Sequence, residues 1–148
     1  MFVDENIAFM RQWFDDVWNR GDFQIVRDRM AHHAIGQGQN EQQQPLTGPE
    51  EFIAFATRIR AAFPDIKLVV EDIFGVDDRV AIRWSARMTH LGDTLGMPAT
   101  SMPVETNGIT IVQITDGKIT AGWDCWDQAG LMKQLASPGV SVAGATGS

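Results

Sequence analysis

From Ile66 onward the spacing of apolar residues changes from the 3.6 of a helix to the 2 of a strand. Val80, Ile82, Trp84, Ala86, Met88 and His90 alternate with Ala81, Arg83, Ser85, Arg87 and Thr89, which predicts a strand with one apolar and one mostly polar face. A strand from Lys67 to Phe74 precedes it, across a turn at Gly75 to Arg79. After an irregular segment from Leu91 to Pro103 come a strand from Val104 to Ile114, an Asp116-Gly117 turn and a strand from Ile119 to about Trp126. A two-residue turn there sets Ile114 opposite Ile119, Val112 opposite Ala121, Thr110 opposite Trp123 and Ile109 opposite Asp124. Consecutive strands with no helix between them exclude an alternating α/β fold and require helices segregated to one face of the sheet, an α+β domain.

The helices lie on either side of this run. Ile7, Met10, Trp13, Phe14, Val17 and Trp18 recur at helical spacing between Asp4 and Arg20, and Gly21 is placed to end that helix. Asp22 is placed to cap a short second helix carrying Phe23, Val26 and Met30. Residues His32 to Leu46 are the irregular part, and within them the polar run from Gln37 to Pro45 has no clear period and reads as a loop or short edge strand. Pro49 at a first helical position, with Glu50 and Glu51 in the first turn, opens a third helix. Its buried stripe is Phe52, Phe55, Ile59, Ala62 and Phe63, and Pro64 stops it. Asp127 is placed to cap a last helix with Leu131, Met132 and Leu135, and the small residues from Ser137 to Ser148 read as a loose tail. Residues 1–136 are thus expected to form a single domain.

Bulk properties narrow the function. The 148 residues suit one core. A formal net charge of −7 disfavours a nucleic-acid partner. No stretch approaches the roughly 18 apolar residues of a membrane span. The lone Cys125 allows no intrachain disulfide and suits a reducing cytoplasm, and Asp4 and Glu5 stand where a secretory leader would be basic. The aromatic residues are Trp and Phe with no Tyr, which favours a wide apolar interior. Both faces of the final hairpin carry apolar side chains, so one face needs cover beyond the helices. A second copy of the chain, in a homodimer, is expected to supply it.

No serine elbow, phosphate loop, dinucleotide fingerprint or metal-ligand cluster is present, so neither metal nor cofactor is expected. Proton transfer by a carboxyl is the chemistry left. The segment Trp123-Asp124-Cys125-Trp126-Asp127 is the densest candidate, because carboxylates between indoles are desolvated and desolvation raises a carboxyl pKa. Asp127 sits where helix capping alone would explain it. Asp124 lies inside a strand, where Asp is disfavoured, and is the favoured acid. His90, at the end of its strand, is either a core or rim residue or a third catalytic candidate. His32 and His33 read as surface residues, and Arg83 and Arg87 as one strand face paired with Asp72 or Glu71.

Several short motifs in order carry a family resemblance. They are Trp18-Asn19-Arg20-Gly21-Asp22-Phe23, Ala62-Phe63-Pro64-Asp65, Thr89-His90-Leu91-Gly92 continuing through Leu95-Gly96-Met97-Pro98-Ala99-Thr100, Asp116-Gly117-Lys118-Ile119, and Trp123 to Asp127 followed by Leu131 and Gln134-Leu135. Over about Ile7 to Ala136 the chain resembles the SnoaL-like polyketide cyclase branch of the nuclear-transport-factor-2-like fold. The resemblance implies a cone-shaped barrel of strongly curved antiparallel sheet, with N-terminal helices over an apolar pocket, and a homodimer formed through the sheet. It also implies a cofactor-free aldol closure in which an aspartate near the end of the last long strand, Asp124 or Asp127, serves as acid and base. Gln37 stands where the family commonly has a histidine, and Ala121 where it often has an acidic residue. The expected pocket wall is Trp13, Phe14, Trp18, Gln37, Phe52, Phe55, Trp84, Met88, Met97 and Trp123, with the segments 37–45 and 91–103 at its mouth. The expected ligand is a small apolar or polycyclic carbonyl compound. The alternatives are an epoxide-hydrolase-like enzyme on the same fold and a non-catalytic ligand carrier.

Overall fold

The computed structural model describes residues 2–40 and 44–136; the expected tail from Ser137 and the middle of the Gln-rich segment lie outside the described residues. In chain order the elements are α1 (Phe2–Phe14), a wide π-helical turn (Asp15–Asn19), α2 (Gln24–Arg29), β1 (Met30–Gln37), β2 (Leu46–Thr47) and α3 (Gly48–Ala62). Then follow β3 (Lys67–Val76), β4 (Arg79–Thr89), β5 (Pro103–Thr115), β6 (Lys118–Trp126) and α4 (Gln128–Ala136). Among the described residues the strands form one six-stranded sheet in the order β2-β1-β6-β5-β4-β3, curved and not closed into a full barrel.

Alternation decides which side of this sheet is inside. Along β4, Val80, Ile82, Trp84, Ala86 and Met88 are buried while Arg83 and Arg87 are exposed. Along β5, Val104, Thr106, Gly108, Thr110, Val112 and Ile114 turn inward. The helices α1 and α3 lie against the inward face, α1 on β3 and β4 and α3 on β1 and β2. Their stripes of Phe9, Met10, Trp13, Phe14, Phe52, Phe55 and Ile59 join the strand residues in one apolar cluster. Each fully buried large side chain of this kind stabilises the fold by about 1.5–3 kcal/mol. The carboxylate of Glu51 in the first turn of α3 accepts the Thr47 N–H at 2.8 Å, which fixes where α3 starts.

Two expectations from the sequence need correction. First, the irregular part from His32 begins within a full strand, β1, which lies inside the sheet between β2 and β6. This strand pairs with β6 in parallel, whereas the rest of the sheet is antiparallel. Its periodicity is broken because the register shifts between Met30 and Ile35, so adjacent His32 and His33 are both exposed. Second, of the four expected pairs of the final hairpin only Ile114–Ile119 is found. Thr120 bulges, and beyond it every pair moves by one residue, so that Thr110 faces Asp124, Ile111 faces Trp123 and Ile109 faces Cys125. The expected ion pair on the outer face exists between Arg83 and Asp72, at 3.9 Å, while Arg87 pairs with Glu105 at 3.8 Å.

The segment after β4 is pinned, not open. Leu91 and Gly92 donate to the Ala62 carbonyl at 2.9 and 3.1 Å, and Ser101 donates to the His90 carbonyl at 2.8 Å. Leu95, Met97 and Met102 pack onto the core there. This segment therefore buttresses the C-terminal end of α3 and does not border the cavity described next.

Candidate active site

Between the helices and the inward face of the sheet lies a cavity of about 100 Å³, measured as room for the centres of water molecules. Trp13, Phe14, Trp18, Phe52, Phe55, Trp84 and Met88 line it. The rings brace one another. Trp13 meets Phe52 at 5.6 Å between centroids, and Trp18 meets Phe52 and Phe55 edge-on at 6.1 and 6.0 Å. Such pairs hold a wall in place by more than the area they bury.

The polar groups on this wall sit together. Asp124 enters the cavity from β6, and Thr110, directly across on β5, donates its hydroxyl to Asp124 Oδ1. The indole Nε1 of Trp84 donates to the same Thr110 Oγ1 at 3.0 Å. Because Trp84 occupies an oxygen lone pair, the Thr110 proton is directed at the carboxylate. The side-chain amide of Gln39 is the second hydrogen-bond partner of Asp124. Desolvation by burial dominates over both bonds, and it pushes the Asp124 pKa up from the ordinary 3.8 to about 6. The result is a carboxyl that exchanges protons near neutral pH inside an apolar chamber. Asp124 is the sole titratable side chain among the described residues of the cavity wall.

Gln39 reaches this place because the chain after β1 is stapled to the end of β6. Trp126 Nε1 donates to the Gln39 carbonyl at 2.9 Å, and Gln128 Nε2 donates to the Asn40 carbonyl at 3.3 Å. Gly38 makes the crossing possible. Its φ is +79°, and a Cβ there would sit 2.0 Å from the Asp124 carbonyl oxygen.

The other expected site residues lie elsewhere. Asp127 Oδ1 accepts the Gly130 N–H at 2.9 Å and caps α4, outside the cavity wall. His90 is fully buried beyond the end of β4. Its Nδ1 accepts the Thr100 N–H at 3.2 Å and its ring packs on Phe63, so it ties down the 91–102 segment and does not line the cavity. Trp123 points outward because it is one residue from Asp124 on a strand, and Arg79 lies over its ring at 5.2 Å. Gln37 is exposed at the end of β1, and Met97 belongs to the buttressing segment; neither lines the cavity. Thr110 and Gln39 were not legible as site residues. The Thr120 bulge hides which residue faces Asp124, and no period marks one buried glutamine in a polar run.

An open, curved sheet with helices on one face, enclosing an apolar chamber whose described residues include a single carboxyl, is the small α+β fold expected from the sequence. The chain belongs to the SnoaL-like polyketide cyclase family, whose model matches residues 8–135. It is 30% identical to the aklanonic acid methyl ester cyclase DauD of Streptomyces sp. (strain C5) over 125 residues, covering 83% of this chain and 77% of that protein. It is 29% identical to DnrD, the aklanonic acid methyl ester cyclase of Streptomyces peucetius, over 83% of this chain and 86% of that one. Among solved structures, a SnoaL-like protein of Jannaschia sp. CCS1 superposes with a TM-score of 0.81 at 24% identity, over 92% of this chain and 94% of the other. No helix among the described residues is long and apolar enough to cross a membrane.

Proposed function

We propose that the chain is a cofactor-independent cyclase that closes a ring by intramolecular aldol addition, with Asp124 as both base and acid. The observation that carries this reading is the place of Asp124, the one carboxyl among the described residues of an apolar wall, where desolvation favours its protonated form. As carboxylate, Asp124 takes a proton from carbon next to a substrate carbonyl, and the C–H electron pair becomes the enolate. The enolate carbon then bonds to a second carbonyl carbon of the same molecule, and the oxygen formed there takes the proton back from Asp124. Nothing is consumed and the substrate is isomerised. The aromatic chamber suits an apolar, partly planar ligand, and the relatives named for aklanonic acid methyl ester point to a polyketide-type ester bearing ketones.

The test is direct. Purified protein incubated with a polyketide methyl ester that has an acidic C–H and a ketone within ring-forming reach should give the cyclised isomer of unchanged mass. Saturable binding with no isomerisation of such compounds would favour the carrier alternative. Among the described residues no group of three His, Cys, Asp or Glu could hold a metal ion. Treatment with a chelator is therefore expected to leave turnover unchanged; a loss restored by zinc or magnesium would contradict this.

The outward face of the sheet supports a homodimer. Phe74, Ala81, Ile111 and Trp123 stand in register across β3, β4, β5 and β6, forming an apolar row that the helices do not cover. Phe74 is 63% exposed, and Ile111 and Trp123 are each 38% exposed. Such a row suits self-complementary packing about a two-fold axis. Sedimentation at micromolar concentration is expected to give a dimer, and Ile111→Glu to give a monomer. A wild-type monomer would refute the proposal.

A further inference from the structure

We infer that Gln39 is a positioning residue for Asp124, held by a floor of two glycines that keeps its amide against the carboxylate. The inference rests on the reading of Asp124 as the working acid and base. Gln39 is only 8% exposed, yet its Oε1 is buried with no hydrogen-bond partner. A buried acceptor left unpaired is costly, and an apolar side chain of the same length would avoid that cost. What the glutamine provides instead is an N–H donor to Asp124. The carboxylate accepts only from a donor, so the amide nitrogen and not its oxygen faces Asp124.

The floor explains how the amide fits. Gly36 on β1 pairs with Gly122 on β6, and both line the cavity beside Asp124. A Cβ on Gly36 would sit 2.1 Å from Gln39 Oε1, 2.6 Å from Nε2 and 2.7 Å from Cδ. A Cβ on Gly122 would sit 3.5 Å from Nε2, an ordinary contact. The Gln39 side chain therefore lies where the Gly36 side chain would be. Thr110 fixes one side of the carboxyl from the neighbouring strand, and Gln39 fixes it from the segment that follows β1. Both are donors, so both favour the charged form and oppose desolvation. No other charged or titratable side chain faces Asp124 from α1, α3, β1, β4 or β5 among the described residues of the wall.

The floor offers a test that leaves Gln39 chemically intact. Gly36 is not in the left-handed region of backbone space, and every clash of an added methyl is with the far end of one flexible side chain. Gly36→Ala should thus displace the amide with little damage to the strand. We expect Gln39→Met and Gly36→Ala each to raise the midpoint of the Asp124 carboxyl titration, followed by carbon-13 NMR, by about one pH unit. The acid limb of the turnover profile should move up in pH with it. In the double variant the midpoint should rise no further than in either single variant, because both changes remove one contact. An unchanged midpoint in folded Gln39→Met overturns the inference, and so does an unchanged midpoint in Gly36→Ala. Failure of the acid/base reading is separate: it would appear as midpoints that move as expected while turnover ignores both the shift and the removal of Asp124.

Discussion

Asp124→Asn is expected to lower turnover by about 10²-fold or more, the usual loss when a general acid or base is removed, while ligand affinity changes little. The substitution keeps the size of the side chain. Its amide oxygen can still accept the Thr110 hydroxyl, so the Trp84–Thr110 arrangement should survive. Only the exchangeable proton is lost. Asp127→Asn is the matched control, since asparagine caps a helix about as well as aspartate and the Asp127 carboxylate accepts the Gly130 N–H of its own helix. Stopped assays with both variants decide between readings. Collapse in Asp127→Asn with survival in Asp124→Asn would assign the chemistry to the wrong carboxyl, and full activity in both would leave a ligand carrier.

The same substitution should make the protein more stable at neutral pH. A carboxyl whose pKa rises from 3.8 unfolded to about 6 folded favours the folded state fully below its unfolded value. That contribution is lost as pH rises through the folded value. Wild type therefore carries a penalty above about pH 6 that Asn does not. At about 1.4 kcal/mol per pH unit the penalty is at most about 3 kcal/mol. Because Asp124 keeps a minor part of its surface accessible to solvent, about 1–2 kcal/mol is the expected size. Urea unfolding at pH 8 should show Asp124→Asn more stable by this amount, with the pH-dependent part of the gap gone near pH 4. Comparing the two proteins at each pH cancels other titrations, such as that of Asp65, whose pKa is lowered by its bonds to the Thr89 hydroxyl and N–H. A gap that did not change with pH would mean that Asp124 titrates normally. A more stable but inactive variant is the outcome expected when a working group is held in an unfavourable setting.

Why the sequence revealed some of this and hid the rest follows from local physics. The strands β3 to β6 were legible because strict alternation, as from Val80 to Met88, records a sheet with one buried face, and α3 because Pro49, Glu50 and Pro64 mark its ends. The aromatic wall was legible for the same reason: residues at helical spacing must be inside, and inside includes the chamber. The contribution of β1 was not. A strand with a bulge, two adjacent histidines and a glycine lacks a period, and its parallel partner lies far along the chain. The site was therefore half visible. Asp124 stood out as a carboxyl with no structural reason to be in a strand. Thr110 was set one residue out of place by a bulge at Thr120, and Gln39 depended on a backbone crossing that only Gly38 permits.

The wide turn at Asp15–Asn19 acts as a phase shifter between two demands on one helix. A π turn holds one residue more than an α turn, so everything after it is rotated by about 100° relative to an unbroken helix. In the observed phase Trp18 meets Phe52 and Phe55, while Asn19 grips the backbone of β3, accepting the Leu68 N–H at 2.7 Å and donating to the Leu68 carbonyl at 3.0 Å. The chamber wall and the anchor on the far edge of the sheet are thereby set by chain length as well as by side-chain chemistry. Point changes at the exposed positions of this turn leave the phase alone. Deleting a single residue there is expected to turn the indole away from the cavity and to break the hold on β3 in the same move.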